Sequence, residues 1–297
     1  MDNIRPTKST MLPRLRVSIR GFTREAYNIG SFPFAVALLL YDRFDPSYRM
    51  NWAKKLWLAL RMFRNTRKIQ TGTSYKAHLA MAAKLLSIPP STRGVVVECG
   101  CWHGGSTANL SLVCDIVGRD LVVYDSFAGL PELGQNEKNV NLAGAGDYRG
   151  DFEIVQANVR RFGAIDRCVF RPGWFKDTLP SHQEPIVMCF IDVDYQASLY
   201  DCIINLWPRL TEQGYVFIDE YVLIDYCALF FSERFWRDHF DCAPPGLLGT
   251  GTGVGVGGYY LGPWNEWNLV QDPRSIAYTR KDFYGLWDYI PEGSSSD

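Results

Sequence analysis

The stretch "VVVECGCWHGGST", residues 95 to 107, decides how the chain is read. Val95, Val96 and Val97 make a short continuous apolar run, the pattern of a strand covered on both faces in a parallel sheet. Glu98 ends the run. Gly100, Gly104 and Gly105 then allow a tight turn and close backbone approach, and Ser106 and Thr107 suit the start of a helix. Strand, glycine turn and helix in that order open a ligand-binding α/β unit. The spacing is not G-x-G-x-x-G, and no lysine stands where a phosphate-binding loop needs one.

Downstream, the same alternation continues. "LVVYD", a helix from about Phe152 to Phe162, "CVFRPG", "IVMCFID", a helix from about Ala197 to Leu210 and "GYVFIDE" follow in turn. Short apolar strands alternating with helical segments predict an α/β fold with a doubly wound, mostly parallel sheet. A second glycine stretch, "GTGTGVGVGG" (249 to 258), precedes "YYLGPW", which reads as a last antiparallel strand and supplies no helix N-terminus. It is expected to be a turn. Upstream, about 30 to 87 read as helices interrupted near Asp45-Pro46 and Gly72, and Pro89-Pro90 closes that region. The expected organisation is a basic helical extension or lid over 1–90, a core over 91–262 and a C-terminal extension with a disordered tail over 263–297.

The chain has 297 residues, 47% of them hydrophobic, enough for a large core. Its net charge of −1 hides an asymmetry, because residues 1 to 70 carry 14 Lys and Arg against 4 Asp and Glu. Trp52, Leu56, Trp57, Leu60, Met62 and Phe63 recur near helical spacing, so this arm is read as solvated helix faces and no nucleic-acid partner is expected. "FAVALLL" (34 to 40) is too short for a transmembrane segment. The eight cysteines form no C-x-x-C pair, which predicts reduced core thiols, no zinc site and a cytoplasmic protein.

The strand ends carry the chemistry. Glu98 before a glycine turn suits the amino group of a ligand such as the methionine end of S-adenosylmethionine, and Asp125, ending the next strand, suits ribose hydroxyls. NAD fits these two features as well. Asp192 and Asp194 end one later strand, and Asp219 and Glu220 end another. The carboxyl ends of parallel strands share one edge, so these four acids should converge and call for a hard cation with oxygen ligands, for which Mg²⁺ is the fit.

In order along the chain, "ECGCWHGG", "DSFAGLP", "GWFKDTLP", "DVDYQAS" and "IDEY" resemble the macrocin O-methyltransferase family of S-adenosylmethionine- and Mg²⁺-dependent sugar methyltransferases. The likeness spans about Gly94 to Tyr221 and implies a seven-stranded class I methyltransferase sheet. It implies that Glu98, Gly100, Gly104 and Ser106 flank the methionine end, that Asp125 and Ser126 lie at the ribose, and that Trp174 and Phe175 lie near the adenine. Asp192, Asp219 and Glu220 would hold the metal. Asp194 would be the general base, with Tyr195 and His103 as spare candidates. The chain departs from the family pattern at Val193, Tyr195-Gln196, His103 and Glu220.

The expected activity is O-methylation of a hydroxyl on a sugar or glycosylated natural product, with a small-molecule acceptor and a homo-oligomeric enzyme. A catechol-type or other non-sugar hydroxyl follows the same metal logic. A nicotinamide-dependent oxidoreductase and a catalytically silent binding protein of the same fold are the rivals from other classes. The acceptor-choosing segments are expected in the loop Glu132 to Asp151, the N-terminal helices and the turn Gly249 to Gly258.

Overall fold

A computed structural model of the chain describes residues 26, 28–134, 143–221, 223–250 and 276–282. The chain divides into two compact units, 1–42 and 43–297. In the first, the described helix is α1 (Phe32–Tyr41), an apolar segment with proline in its first turn.

The second unit begins with two helices that the sequence places correctly, α2 (Trp52–Lys68) and α3 (Tyr75–Ser87). Each starts at a side-chain cap: Asn51 accepts from Lys54 N, and Ser74 accepts from Ala77 N. They pack on α4 (Gly105–Val117), and the contact is tied by buried amides. Asn65 Nδ2 donates to Asn109 Oδ1 at 2.9 Å, and Asn109 Nδ2 meets His78 Nδ1 at 2.7 Å. These helices therefore share one compact unit with the core, and the division at 42/43 falls before the expected 90/91.

The sheet has the strands β1 (Val95–Cys99), β2 (Leu121–Asp125), β3 (Cys168–Pro172), β4 (Ile186–Ile191), β5 (Leu210–Ile218), β6 (Leu248–Gly249) and β7 (Ala277–Arg280). Their order is β3-β2-β1-β4-β5-β7-β6. The first five pair in parallel, and β7 and β6 close the edge antiparallel. β2 and β4 are buried at every residue, which explains their unbroken apolar runs. The remaining helices are α5 (Phe152–Phe162), α6 (Phe175–Thr178), α7 (Gln196–Leu206), α8 (Ile224–Cys227) and α9 (Glu233–Phe240).

Two expectations shift. The helix expected to reach Leu210 stops at Leu206, because Pro208 sits in a 3-10 turn over Trp207–Arg209 and Leu210 already pairs with Ile186. Within 263–297, read as an extension, Ala277–Arg280 is a sheet strand paired with β5. The strand expected at 259 to 264, most of the glycine-rich turn, the tail and the basic residues 1–25 lie outside the described residues.

Candidate active site

Register brings the strand ends into line. Cys99 is opposite Tyr124 and Ile191, and Ile191 is opposite Ile218. The ladder continues one step past the strands, with Gly100 N donating to Tyr124 O, Asp192 N to Cys99 O and Asp219 N to Ile191 O at 2.9 to 3.1 Å. Asp125, Gly100, Asp192 and Asp219 thus share one edge.

On the β1–β2 side the turn is built on close approach. Gly100 has φ +87, and a Cβ there would collide with the Asp192 carbonyl oxygen. Gly104 has φ +80 at the start of α4, a left-handed conformation that favours glycine. Asp125 holds this turn: its Oδ2 accepts from Cys101 N at 2.7 Å and Trp102 N at 3.3 Å, and its Oδ1 accepts from Phe127 N at 2.7 Å. Three of about four acceptor positions on the carboxylate are engaged, leaving room for one outside donor. Ser126 Oγ is committed to its own loop, donating to Gly129 O and accepting from Ala128 N.

Glu98 is fully buried, and its carboxylate oxygens have no hydrogen-bond partner among the described residues. Burial pushes its pKa up to about 7; the nearby hydroxyls of Ser106 and Thr107 lower it somewhat without reaching hydrogen-bond geometry, and the Asp125 charge raises it. Such a group suits a cationic ligand atom. Trp174 is exposed just before α6, whereas Phe175 is partly buried against the core. His103 stacks on Trp102 with ring centroids 4.7 Å apart, and its backbone carbonyl accepts from Asn158.

On the β4–β5 side, one carboxylate oxygen each from Asp192, Asp219 and Glu220 lies within 4.8 Å of the others. Opposite ligands of an octahedral Mg²⁺ span about 4.2 Å, so a cation would draw these side chains slightly inward. Glu220 Oε2 is buried without a hydrogen-bond partner among the described residues. Burial first, and then the neighbouring carboxylates, push Asp192 and Glu220 well above the ordinary range, and Asp194 adds to both shifts. Oxygen donors only, crowded like charge and an orphaned carboxylate oxygen make a donor set that a hard divalent cation fits.

Tyr195, a spare candidate for the base, follows Asp194 on this side. Its ring is buried and its hydroxyl donates to Ala143 O at 3.0 Å, anchoring the end of the loop after β2. That loop folds back on itself, with Leu130 N donating to Asp147 O and Gly146 N to Leu130 O. Residues 135–142 lie outside the described residues. Sequence reasoning missed Thr73, whose hydroxyl donates to Asp192 Oδ2 at 3.2 Å.

Residues 77–241 match the family model for macrocin O-methyltransferase (TylF). The chain is 36% identical over 171 residues to 8-demethyl-8-(2,3-dimethoxy-alpha-L-rhamnosyl)-tetracenomycin-C 4'-O-methyltransferase of Streptomyces olivaceus, covering 54% of this chain and 64% of that protein. It is 32% identical over 160 residues to demethyldecarbamoylnovobiocin O-methyltransferase of Streptomyces niveus, covering 50% of this chain and 60% of the relative. The matched region thus spans less than two thirds of these relatives. Among solved structures, the O-methyltransferase NovP superimposes with a TM-score of 0.59 at 22% identity, over 76% of this chain and 98% of NovP, a likeness of fold. With the strand-end acids aligned on one sheet edge and the family model covering more than half of the sequence, the chain belongs to the macrocin O-methyltransferase family.

Proposed function

We propose that the protein is an S-adenosylmethionine- and Mg²⁺-dependent O-methyltransferase acting on a hydroxyl of a sugar or glycosylated natural product. The observation that carries this reading is the convergence of Asp192, Asp219 and Glu220 oxygens within 4.8 Å, on the same sheet edge as the Asp125-held glycine turn. Glu98 would meet the cofactor's ammonium group, the remaining acceptor position of Asp125 would take a ribose hydroxyl, and exposed Trp174 would offer its ring to the adenine. Asp192, Asp219 and Glu220 would hold the metal, which when bound supplies Lewis-acid orientation of two acceptor oxygens and a lower hydroxyl pKa.

Asp194 adds charge to the same cluster and would accept the acceptor's proton as the oxygen attacks the methyl group. The hydroxyl of Tyr195 is engaged with Ala143, so its part is to hold the loop beside the base. The eight free thiols suit a reducing, cytoplasmic setting. No helix among the described residues is long and apolar enough to cross a membrane. The test is mass spectrometry of an acceptor panel with methyl-labelled cofactor, with and without chelator. The expected result is a labelled ether on a sugar hydroxyl that disappears with EDTA and returns with Mg²⁺. Transfer confined to phenolic diols, or undiminished by chelation, would overturn the acceptor class or the metal respectively.

A further inference from the structure

The turn joining α2 and α3 lies ahead of the family match, which begins at residue 77, yet it reaches into the acid cluster. Thr73 is 2% exposed, and its hydroxyl donates to Asp192 Oδ2 at 3.2 Å. The turn is held from several directions. Thr73 N donates to Thr71 Oγ1 at 3.2 Å, and the Thr71 side chain occupies space that only a glycine at 105 leaves, since a Cβ there would lie 2.7 Å from Thr71 Cβ. Behind it, Ser74 caps α3, and the buried Asn65, Asn109 and His78 fix both helices against α4. Asn65 also donates to Phe162 O at 3.0 Å, which ties the end of α5 into the same assembly.

We propose that Thr73 is a positioning residue of the metal site, holding the Asp192 carboxylate in the rotamer that keeps its oxygen beside those of Asp219 and Glu220. This rests on the metal reading above. Asp192 faces like charges from Asp219 and Asp194, and an unsupported carboxylate would swing away from them. A lysine or arginine at this position would hold it too, but would neutralise the cluster and repel the incoming cation. A hydroxyl supports the anion without bringing a charge, and the β-branched threonine side chain has few χ1 alternatives, so the donor stays aimed. Hydrogen-bond partners one layer out from a metal orient its ligands, and their loss typically weakens metal affinity about 10–100-fold. Nothing in the family match assigns this residue, because the match begins four positions later.

The test is titration of the full chain with Mn²⁺, followed by electron paramagnetic resonance, on wild type, Thr73→Val and Thr73→Ser. Calorimetric S-adenosylhomocysteine binding verifies that each variant is folded. The valine variant should bind Mn²⁺ about 10–100-fold more weakly with its S-adenosylhomocysteine affinity unchanged, while the serine variant stays within about threefold of wild type. Thr73→Ala repeats the hydroxyl deletion without valine's extra methyl and should show the same loss. Equal Mn²⁺ affinity in the valine and wild-type proteins would overturn the role of Thr73 alone. An equal loss in the serine variant would do so as well, by showing that the methyl group and not the hydroxyl matters. A wild-type protein that binds no Mn²⁺ would remove the metal reading, and the role of Thr73 with it.

Discussion

Two carboxylate sites on one sheet edge differ in how their charge is met. At the tip of β2, Asp125 accepts three backbone N–H groups from the glycine turn and its own loop, so its charge is distributed over fixed protein dipoles. At the tips of β4 and β5, Asp192, Asp219 and Glu220 face one another, and burial and mutual repulsion raise Asp192 and Glu220. The first site is mostly satisfied within the protein, which fixes the glycine turn and leaves one acceptor position for a ligand. The second concentrates like charge and leaves Glu220 Oε2 without a hydrogen-bond partner among the described residues, so the proposed metal would answer a need that Asp125 does not have.

The largest effect expected is at Asp194, which adds charge to the second site without belonging to its trio. Asp194→Asn should lower kcat by about 10²–10⁴, the range for a general base, with Mn²⁺ and S-adenosylhomocysteine affinities near wild type. Single-turnover transfer of a labelled methyl group measures it. Near-normal kcat in this variant would assign the base elsewhere.

Neutralising Glu220 should separate the two sites in opposite directions. Its folded pKa lies above the ordinary carboxylate value, so the folded protein loses stability as the pH rises past that value, and Glu220→Gln removes that loss. The apo variant should be more stable at neutral pH by about 1–3 kcal/mol, and Mg²⁺ should no longer raise its melting temperature. Asp125→Ala should do the reverse, losing about 1–3 kcal/mol of stability together with cofactor affinity, because Cys101, Trp102 and Phe127 N–H groups lose their acceptor. Denaturant unfolding with and without Mg²⁺ distinguishes them. A destabilised Glu220→Gln would mean that the cluster is already satisfied inside the protein.

Much of this comparison was legible in the sequence, and the missing part has identifiable causes. Continuous apolar runs gave β1, β2 and β4 because both faces of those strands are covered, and acids directly after such runs had to meet at one edge. β7 was not legible: Ala277 to Arg280 is four residues long and half-buried in alternation, and it owes its place to pairing with β5. Nothing in "QTGTS" distinguishes Thr73 from an ordinary turn threonine, since its role arises from a contact 119 positions away in the chain. The protein contacts of Asp125 and Tyr195 were hidden in a similar way. A strand-end acid predicts a ligand but not three backbone donors, and a tyrosine beside the base does not announce that its hydroxyl belongs to Ala143.

The smallest effect tests the boundary between the two kinds of site, because Glu98 lies on the β1–β2 side yet lacks backbone donors like those that hold Asp125. Burial raises its pKa from 4.5 to about 7. Between those values the folded protein holds a proton that the unfolded chain has released, so this residue's contribution favours folding below about pH 4.5 and is lost as the pH rises toward 7. Cofactor binding should run the other way. A cationic ammonium prefers the ionised carboxylate, so S-adenosylhomocysteine affinity should rise by up to about tenfold per pH unit below 7 and level off above it. Glu98→Gln should flatten the profile, bind more weakly above pH 7 and be the more stable apo protein there. Calorimetry from about pH 5.5 to 8 reads the slope directly. A flat wild-type profile would mean that the ammonium group is met by some other acceptor and that Glu98 has a purely structural part.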